Sequence, residues 1–117
     1  MARLVVGDVV VVPFPFADLT GSKRRPAVIV AMPEPGDDVV LCLITSRPPR
    51  DDYWTLLDES SFSSGGLRVS SYARANRLFT ADAAIVASVA GRLSAESIDG
   101  IIGKVRALFG PHVSSTT

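Results

Sequence analysis

Residues 7–31 read GDVVVVPFPFADLTGSKRRPAVIVA, and this stretch decides the fold. Residues 9–12 and 27–31 are apolar runs of the length expected for buried β-strands. Two prolines follow the first run and fix φ there, while Pro26 restricts the backbone of the residue before it. The stretch therefore predicts two buried strands around a loop that ends in cations. The guanidinium of Arg25 is expected to be held where the second strand begins.

Short apolar runs separated by turn residues continue through most of the chain, as is typical of an all-β core. The predicted strands cover residues 9–12, 27–32, 39–45, 53–57, 67–72 and 84–89. The Ser- and Gly-rich residues 60–66 are predicted to form a hairpin loop between two of them.

The last element has the spacing of a helix instead of a strand. Its stripe of apolar side chains consists of Ile98, Ile101, Ile102, Val105, Leu108 and Phe109. Ser94 suits the N-cap, and Gly110 followed by Pro111 predicts an end with a left-handed glycine. We therefore expect one C-terminal helix and a disordered tail over residues 111–117.

Length and composition set the class of protein. A chain of 117 residues with 47% hydrophobic content suffices for one domain and not for two, so we expect a single domain over residues 1–110. No stretch approaches the roughly twenty apolar residues of a membrane span, and the N-terminus does not resemble a signal segment. These features predict a cytoplasmic protein with no membrane partner. Cys42, the only cysteine, lies in an apolar run and is interpreted as a buried thiol without a chemical role.

The charge pattern bears on the kind of partner. The formal net charge is zero, which argues against a protein that coats nucleic acid by bulk attraction. Cations and acids are nevertheless segregated along the chain, so a cationic groove on a neutral protein is expected.

The residues that are missing narrow the chemistry. The single histidine, His112, falls in the predicted tail, and the adjacent acids Asp37-Asp38 and Asp51-Asp52 are interpreted as surface turns. Metal-ligand spacing is missing as well, so we expect no metal or other cofactor. The groups left for chemistry are Arg, Thr, Ser and Tyr, with a carboxylate as a further option. The attack of an RNA 2′-hydroxyl on the neighbouring phosphate suits them. The nucleophile then belongs to the substrate, and the protein chiefly stabilises the charge of the phosphorane.

Two side chains are candidates for that stabilisation. Arg25 offers a fixed cation with several donors, and Thr45 offers a hydroxyl at the end of the adjoining apolar strand. Each also has a structural interpretation, in which Arg25 anchors its loop through an ion pair with Asp18 and Thr45 caps a turn. The residues alone leave both interpretations open.

Three segments carry a resemblance to a known family, namely residues 21–26 (GSKRRP), 41–46 (LCLITS) and 91–94 (GRLS). In this order and spacing the chain resembles the toxins of type II toxin–antitoxin modules known as MazF, PemK or Kid. The resemblance implies a mainly β fold, a small SH3-like barrel of the PemK type with a C-terminal α-helix. It also implies an mRNA interferase, a metal-independent endoribonuclease that cleaves single-stranded RNA at specific sequences.

The resemblance also assigns roles to individual side chains. The catalytic pair of the family maps onto Arg25 and Thr45. The side chains expected to contact RNA phosphates, riboses or bases are Arg24, Ser46, Phe14, Phe16, Arg68 and Arg74.

The same resemblance implies the partners. The resembled toxins are symmetric homodimers, each held inactive by an antitoxin encoded beside it. We expect the antitoxin to be acidic and partly disordered, and to lie in the same cationic groove as single-stranded RNA.

The sequence departs from the family at one point. Some members carry an Arg-x-Asp pair on the later strand, where the Asp takes part in proton transfer, whereas residues 67–74 (LRVSSYAR) contain no carboxylate. Two alternatives to a ribonuclease are therefore kept. One is a non-enzymatic toxin of the same fold that binds a protein, as gyrase poisons do, and the other is an inactive barrel that serves only in assembly.

Overall fold

The computed structural model describes residues 3–14, 23–33 and 37–110, with Phe14 described by its backbone alone. Phe16, Asp18 and the predicted tail at residues 111–117 lie outside these ranges. The strands and helix in chain order are β1 (Asp8–Phe14), β2 (Lys23–Ala31), β3 (Asp38–Thr45), β4 (Trp54–Leu57), β5 (Phe62–Gly65), β6 (Ser71–Asp82), β7 (Ser88–Leu93) and α1 (Ala95–Leu108). Short 3₁₀ turns lie at Glu59–Ser61 and Ala83–Ile85. No helix within the described ranges is long and apolar enough to cross a membrane.

The seven described strands form one sheet, in the order β4-β6-β3-β2-β1-β7-β5. Every pair of neighbouring strands is antiparallel. The sheet curls into a half-barrel, and α1 packs against β6, β4 and β2. The mainly β, barrel-like fold with one C-terminal helix is therefore confirmed.

Successive side chains of a strand point to opposite sides of the sheet. In the central strands the side chains on both sides are buried, in two separate core clusters. Val9, Val28 and Cys42 belong to one core cluster, while Val10 and Leu41 belong to a second one. The helix covers the first cluster with Ile98, Ile101, Ile102 and Val105. The second cluster is covered by Leu4, Phe79, Ala81, Ile85 and Val86. These apolar runs are confirmed as strands whose residues are mostly buried.

The segment after β4 differs from its prediction as a loop. Residues 60–66 contain β5, which pairs with β7. Asp58 caps the preceding 3₁₀ turn, where its carboxylate accepts the Ser60 N–H at 2.9 Å, and the Asp58 N–H donates to the Ser61 hydroxyl at 3.0 Å. The prediction was wrong because β5 is defined by a distant strand and not by its own Ser- and Gly-rich composition.

Two further strands begin later than predicted. The strand expected at residues 67–72 begins at Ser71 and runs to Asp82, with β3 and β4 as its neighbours. The strand expected at residues 84–89 begins at Ser88, since the Asp82 carboxylate accepts the Ala84 N–H at 2.8 Å and caps a 3₁₀ turn first.

The helix begins as predicted and ends differently. The Ser94 hydroxyl accepts the Ser97 N–H at 3.2 Å, which confirms the N-cap. At the other end Phe109 closes the helix with φ −91° and ψ 2°, and Gly110 does not adopt positive φ. Since the helical backbone stops at Leu108, Phe109 leaves the apolar stripe, and 70% of its surface is exposed.

Gly7 joins three parts of the fold at the entrance to β1. Its N–H donates to the Ile29 carbonyl at 2.8 Å, and its own carbonyl accepts the Leu93 N–H at 3.0 Å. Its φ of +97° is a conformation that side-chain-bearing residues rarely adopt. Beside it, the buried Asp8 carboxylate accepts the Arg92 Nε–H at 3.0 Å. β1 is thereby fixed between β2 and β7.

We expect Gly7→Ala to destabilise the protein. A Cβ at Gly7 would overlap Ile98 Cδ1 and lie 2.8 Å from Ile98 Cγ1, in addition to the left-handed backbone cost of about 1–2 kcal/mol. Gly103→Ala is the matched control, since a Cβ there meets nothing within 4 Å and should stabilise the helix by about 0.5–1 kcal/mol. Denaturant unfolding at one protein concentration measures both. An unchanged midpoint for Gly7→Ala would contradict the steric interpretation.

Candidate active site

The antiparallel pairing of β2 and β3 brings the start of one strand to the end of the other. The register pairs Val28 with Cys42 and Ala27 with Leu43. Continued outward by two residues, this register brings Arg25 to the level of Thr45. The two predicted catalytic residues therefore share one end of the sheet, although no hydrogen bond joins their side chains in the described part of the chain.

Thr45 lies half-buried beside a surface depression. Its hydroxyl oxygen accepts the Arg47 N–H at 3.2 Å, and the hydroxyl hydrogen has no acceptor among the described residues. The depression has a volume of about 450 Å³. It is lined by Thr45, Arg47, Pro48, Pro49, Arg50, Asp51 and Arg74. Three arginines and one aspartate thus line the same depression as Thr45, which makes it suited to an anion.

Asp51 connects the loop between β3 and β4 to β6. One carboxylate oxygen accepts the Tyr53 N–H at 2.9 Å. The other accepts Arg74 Nη2–H at 2.9 Å and Asn76 Nδ2–H at 3.2 Å. The Tyr53 N–H, followed by the hydrogen bonds from Arg74 and Asn76 and the charge of Arg74, holds the pKa of Asp51 below its ordinary value. The carboxylate is therefore ionised at neutral pH.

Arg74 and Asn76 reach Asp51 because they lie two residues apart on the same face of β6. Ala73 and Ala75, between and beside them, are buried on the other face. The Arg74 side chain is 20% exposed, and its carbonyl accepts the Cys42 Sγ–H at 2.9 Å. Within the described chain Arg74 Nε and Asn76 Oδ1 are buried without a hydrogen-bond partner. Arg74 is thus held at both its backbone and its side-chain end.

The remaining predicted RNA contacts are distributed as follows. Arg24 and Arg25 are exposed near the start of β2, and neither side chain has a partner among the described residues. Ser46 is exposed directly after Thr45. The backbone of Phe14 pairs with Lys23 at the end of β1, and Phe16 lies outside the described residues. The ion pair suggested between Arg25 and Asp18 also lies outside them.

Arg68 lies apart from the Thr45 depression. It lines a second depression of about 700 Å³, together with Leu57, Asp58, Glu59, Ser60, Phe62, Leu67, Val69 and Ser70. The two depressions share no lining residue. The structure therefore brings Thr45 and Arg74 together and separates Arg68 from them.

Sequence reasoning missed part of this arrangement. Asp51 lies in a bend, as the sequence predicts, but its role as the acceptor for both Arg74 and Asn76 was missed. Arg47 and Arg50 were not singled out as site residues, although the Arg-Pro-Pro-Arg segment directly after Thr45-Ser46 was a usable signal. A stiff loop with a cation at each end, beside a candidate hydroxyl, points to an anion site.

Two other side chains, Cys42 and Trp54, pack against the rest of the protein. Burial raises the pKa of the Cys42 thiol to about 12, so the interpretation of this cysteine as buried is confirmed. Trp54 packs edge-to-face on Tyr72, with ring centroids 5.3 Å apart and planes at 87°.

Among the described residues no group of three His, Cys, Asp or Glu side chains is placed to hold a metal ion.

Comparison with known families identifies this architecture. The profile of the PemK-like, MazF-like toxins of type II toxin–antitoxin systems matches residues 6–109. The chain belongs to this family. The match includes β1 to β7 and the helix, and the resemblance derived from residues 21–26, 41–46 and 91–94 is confirmed. No curated protein sequence matches the chain.

Solved structures share the fold of this family member at low sequence identity. An endoribonuclease in complex with its cognate antitoxin, from Mycobacterial species, superposes with a TM-score of 0.72 at 16% identity, covering 94% of this chain and 99% of that chain. A second endoribonuclease from Mycobacterial species gives a TM-score of 0.69 at 17% identity, with 94% of each chain covered. MazE-MazF from Deinococcus radiodurans gives 0.69 at 19% identity, covering 96% of this chain and 100% of that chain.

The Asp51 contacts predict a specific loss of stability in acid. Since the folded pKa is below the unfolded one, the contribution of Asp51 is present above the ordinary carboxyl pKa and is lost as the pH falls through the folded value. Asp51→Asn should therefore be less stable than the unchanged protein at neutral pH, and the two stabilities should converge as the pH falls below the ordinary carboxyl pKa. Urea unfolding at a series of pH values measures this. If the free energies of unfolding of the two proteins differ by the same amount at every pH, the ionised carboxylate of Asp51 gains no stability from its partners.

Proposed function

We propose that this family member is a toxin that acts in the cytoplasm as a metal-independent, sequence-specific endoribonuclease of single-stranded RNA. The observation that supports this most is the β2–β3 register, which, continued outward, brings Arg25 level with Thr45, a residue that lines a depression together with three arginines. The endoribonucleases that share the fold are in agreement with it. Single-stranded RNA is the substrate because its bases can be splayed and its 2′-hydroxyl can align with the phosphate.

The proposed reaction is an internal transfer of the phosphate. The RNA 2′-oxygen loses its proton and forms a bond to phosphorus, and the bond from phosphorus to the 5′-oxygen breaks. The departing 5′-oxygen takes up a proton, so the products are a 2′,3′-cyclic phosphate and a 5′-hydroxyl. No group from the protein enters a covalent bond, which leaves charge stabilisation and proton transfer as its tasks.

The side chains are suited to these tasks. Arg25 has no ion-pair partner among the described residues and can place its donors on the phosphoryl oxygens. The Thr45 hydroxyl accepts the Arg47 N–H, which orients its free hydrogen for donation to the developing charge. Arg24 and Ser46 adjoin the pair and are proposed to contact neighbouring phosphates or riboses, with Phe14 and Phe16 stacking on bases.

Cleavage tests the proposal directly. The purified protein should cut a pool of random-sequence single-stranded RNA in excess EDTA and leave 2′,3′-cyclic phosphate ends. Arg25→Ala should lower the rate by about 100- to 1,000-fold, as the loss of a preorganised donor does. Thr45→Val should do the same, whereas Thr45→Ser keeps the hydroxyl and should retain most activity.

Arg106→Ala is the charge-matched control, since Arg106 is exposed in the last turn of α1 and should leave the rate unchanged. Normal cleavage by both Arg25→Ala and Thr45→Val would show that the site lies elsewhere. An absolute need for a divalent metal ion would overturn the proposed chemistry. Binding of a protein target without any RNA cleavage would favour the non-enzymatic toxin instead.

We also propose that the protein is a homodimer inhibited by an acidic, partly disordered antitoxin. One of the solved structures that share the fold is an endoribonuclease in complex with its cognate antitoxin, and another is MazE-MazF. The exposed cations at the start of β2 and around Thr45 are suited to the carboxylates of such a partner. The antitoxin and RNA would then occupy the same groove.

Competition tests the shared groove. A 2′-O-methyl RNA, which cannot be cleaved, should displace a labelled antitoxin encoded beside the toxin, and added salt should weaken both complexes because the contacts are partly ionic. Arg25→Glu should lose both ligands and sediment as the same dimer as the unchanged protein. An antitoxin that stays bound with unchanged affinity in saturating RNA would rule out a shared groove, and monomers alone at micromolar concentration would rule out the dimer.

A further inference from the structure

We propose that Asp51 is a positioning residue of the active site, whose carboxylate holds the Arg74 guanidinium in place to bind RNA phosphate beside Thr45. The inference rests on the proposed ribonuclease function and adds a residue to it. It also supplies a carboxylate at the site from the loop between β3 and β4, whereas residues 67–74, where the later strand was expected, contain none.

The contacts of Asp51 are those of a fixed support. Its two oxygens accept three hydrogen bonds, from the Tyr53 N–H, Arg74 Nη2–H and Asn76 Nδ2–H, at 2.9, 2.9 and 3.2 Å. The Tyr53 bond is local, and the other two join the loop to a strand 23 and 25 residues further along the chain. A carboxylate held by a backbone donor and two side chains fixes the position of each side chain that donates to it.

Arg74 keeps donors for a ligand in this arrangement. A guanidinium has five N–H groups, and one Nη2–H goes to Asp51. Nε is buried, so it does not contribute to the 20% of the side chain that is exposed. Because Arg74 lines the same depression as Thr45, its remaining Nη hydrogens are available to the anion that Thr45 would contact.

Positioning is needed because an arginine side chain has many rotamers. The Cys42 thiol fixes the backbone carbonyl of Arg74 and leaves the guanidinium unconstrained, whereas Asp51 constrains the guanidinium itself. Without the carboxylate, binding of phosphate would have to order the side chain at that moment. A guanidinium displaced by about 1 Å can lower a catalysed rate by about a hundredfold.

The opposite role makes an opposite prediction. If Asp51 merely competed with phosphate for Arg74, then its removal would strengthen RNA binding, since one negative charge would leave a depression lined by three arginines. If Asp51 positions Arg74, then removal of the Asp51 carboxylate slows RNA cleavage and weakens RNA binding, although the charge of the depression becomes more favourable to RNA. The sign of the effect therefore separates positioning from competition.

The experiment is a double-mutant cycle of Asp51→Ala and Arg74→Ala, measured by single-turnover cleavage of a random-sequence single-stranded RNA pool. Asp51→Ala should lower the rate by about 10- to 100-fold. The double variant should be no slower than Arg74→Ala alone, because a residue that acts through Arg74 has nothing to position once Arg74 is gone. Equal losses in both backgrounds, no loss, or a gain in rate would each overturn the proposal.

Asp52→Ala is the matched control, because it removes the same charge from an exposed neighbour whose side chain has no partner in the described ranges. It should leave the rate unchanged or raise it slightly. Asp51→Asn keeps the shape and one acceptor oxygen, and a loss smaller than that of Asp51→Ala is expected. Asp51→Asn also serves for the cycle if Asp51→Ala fails to fold by circular dichroism.

The same double-mutant cycle is repeated with the affinity for a 2′-O-methyl RNA pool as the measured quantity. This measurement requires no cleavage. If the unchanged protein binds this pool without cleaving RNA, the nuclease proposal fails, and the coupling of Asp51 with Arg74 in the affinities still tests the positioning. If the protein cleaves RNA and the two residues are uncoupled in the cleavage rates, the positioning fails alone. A protein that neither binds nor cleaves RNA would overturn both.

Discussion

The burial of the central strands on both faces is the constraint on which the rest of the structure depends. Val9 and Val10, adjacent in β1, lie in different core clusters, and the same holds for Leu41 and Cys42 in β3. A strand without a solvent-exposed face has no place for a polar side chain along its length. On these strands, the groups that can contact a ligand are therefore confined to the strand ends.

The site follows from this constraint. Arg25 lies near the beginning of β2 and Thr45 at the end of β3, and antiparallel pairing places these ends together. The loop after β3 adds Arg47 and Arg50, and β6 adds Arg74, the fourth residue of that strand. The cations thus come from separate parts of the chain and gather where strands of an apolar sheet begin or end. A protein with a formal net charge of zero can in this way present a cationic surface.

Much of the fold could be predicted from local patterns. The valine run of β1, the apolar stripe of α1 and its Ser94 cap are each encoded within a few residues. Elements defined by distant partners could not be predicted in the same way. β5 exists because it pairs with β7, and β6 extends to Asp82 because β3 lies beside it.

The same distinction applies to the site. Arg25 and Thr45 were found from short motifs, and their catalytic role stays a prediction. The Asp51–Arg74 ion pair joins residues 23 apart in sequence, and it depends on β6 lying beside β4 and β3. Adjacent aspartates look alike in a sequence, and only the folded chain shows that Asp51 has partners on β6.

The two edges of the sheet bear on how such an apolar chain avoids aggregation. An edge strand offers unpaired backbone groups to any other chain with an extended segment. β5 is only four residues long and has the composition Phe-Ser-Ser-Gly, with Gly65 at φ +66°. At the other edge β4 has four residues and lies against α1. Both edge strands of the described sheet are thus short, which limits the backbone that another chain could pair with.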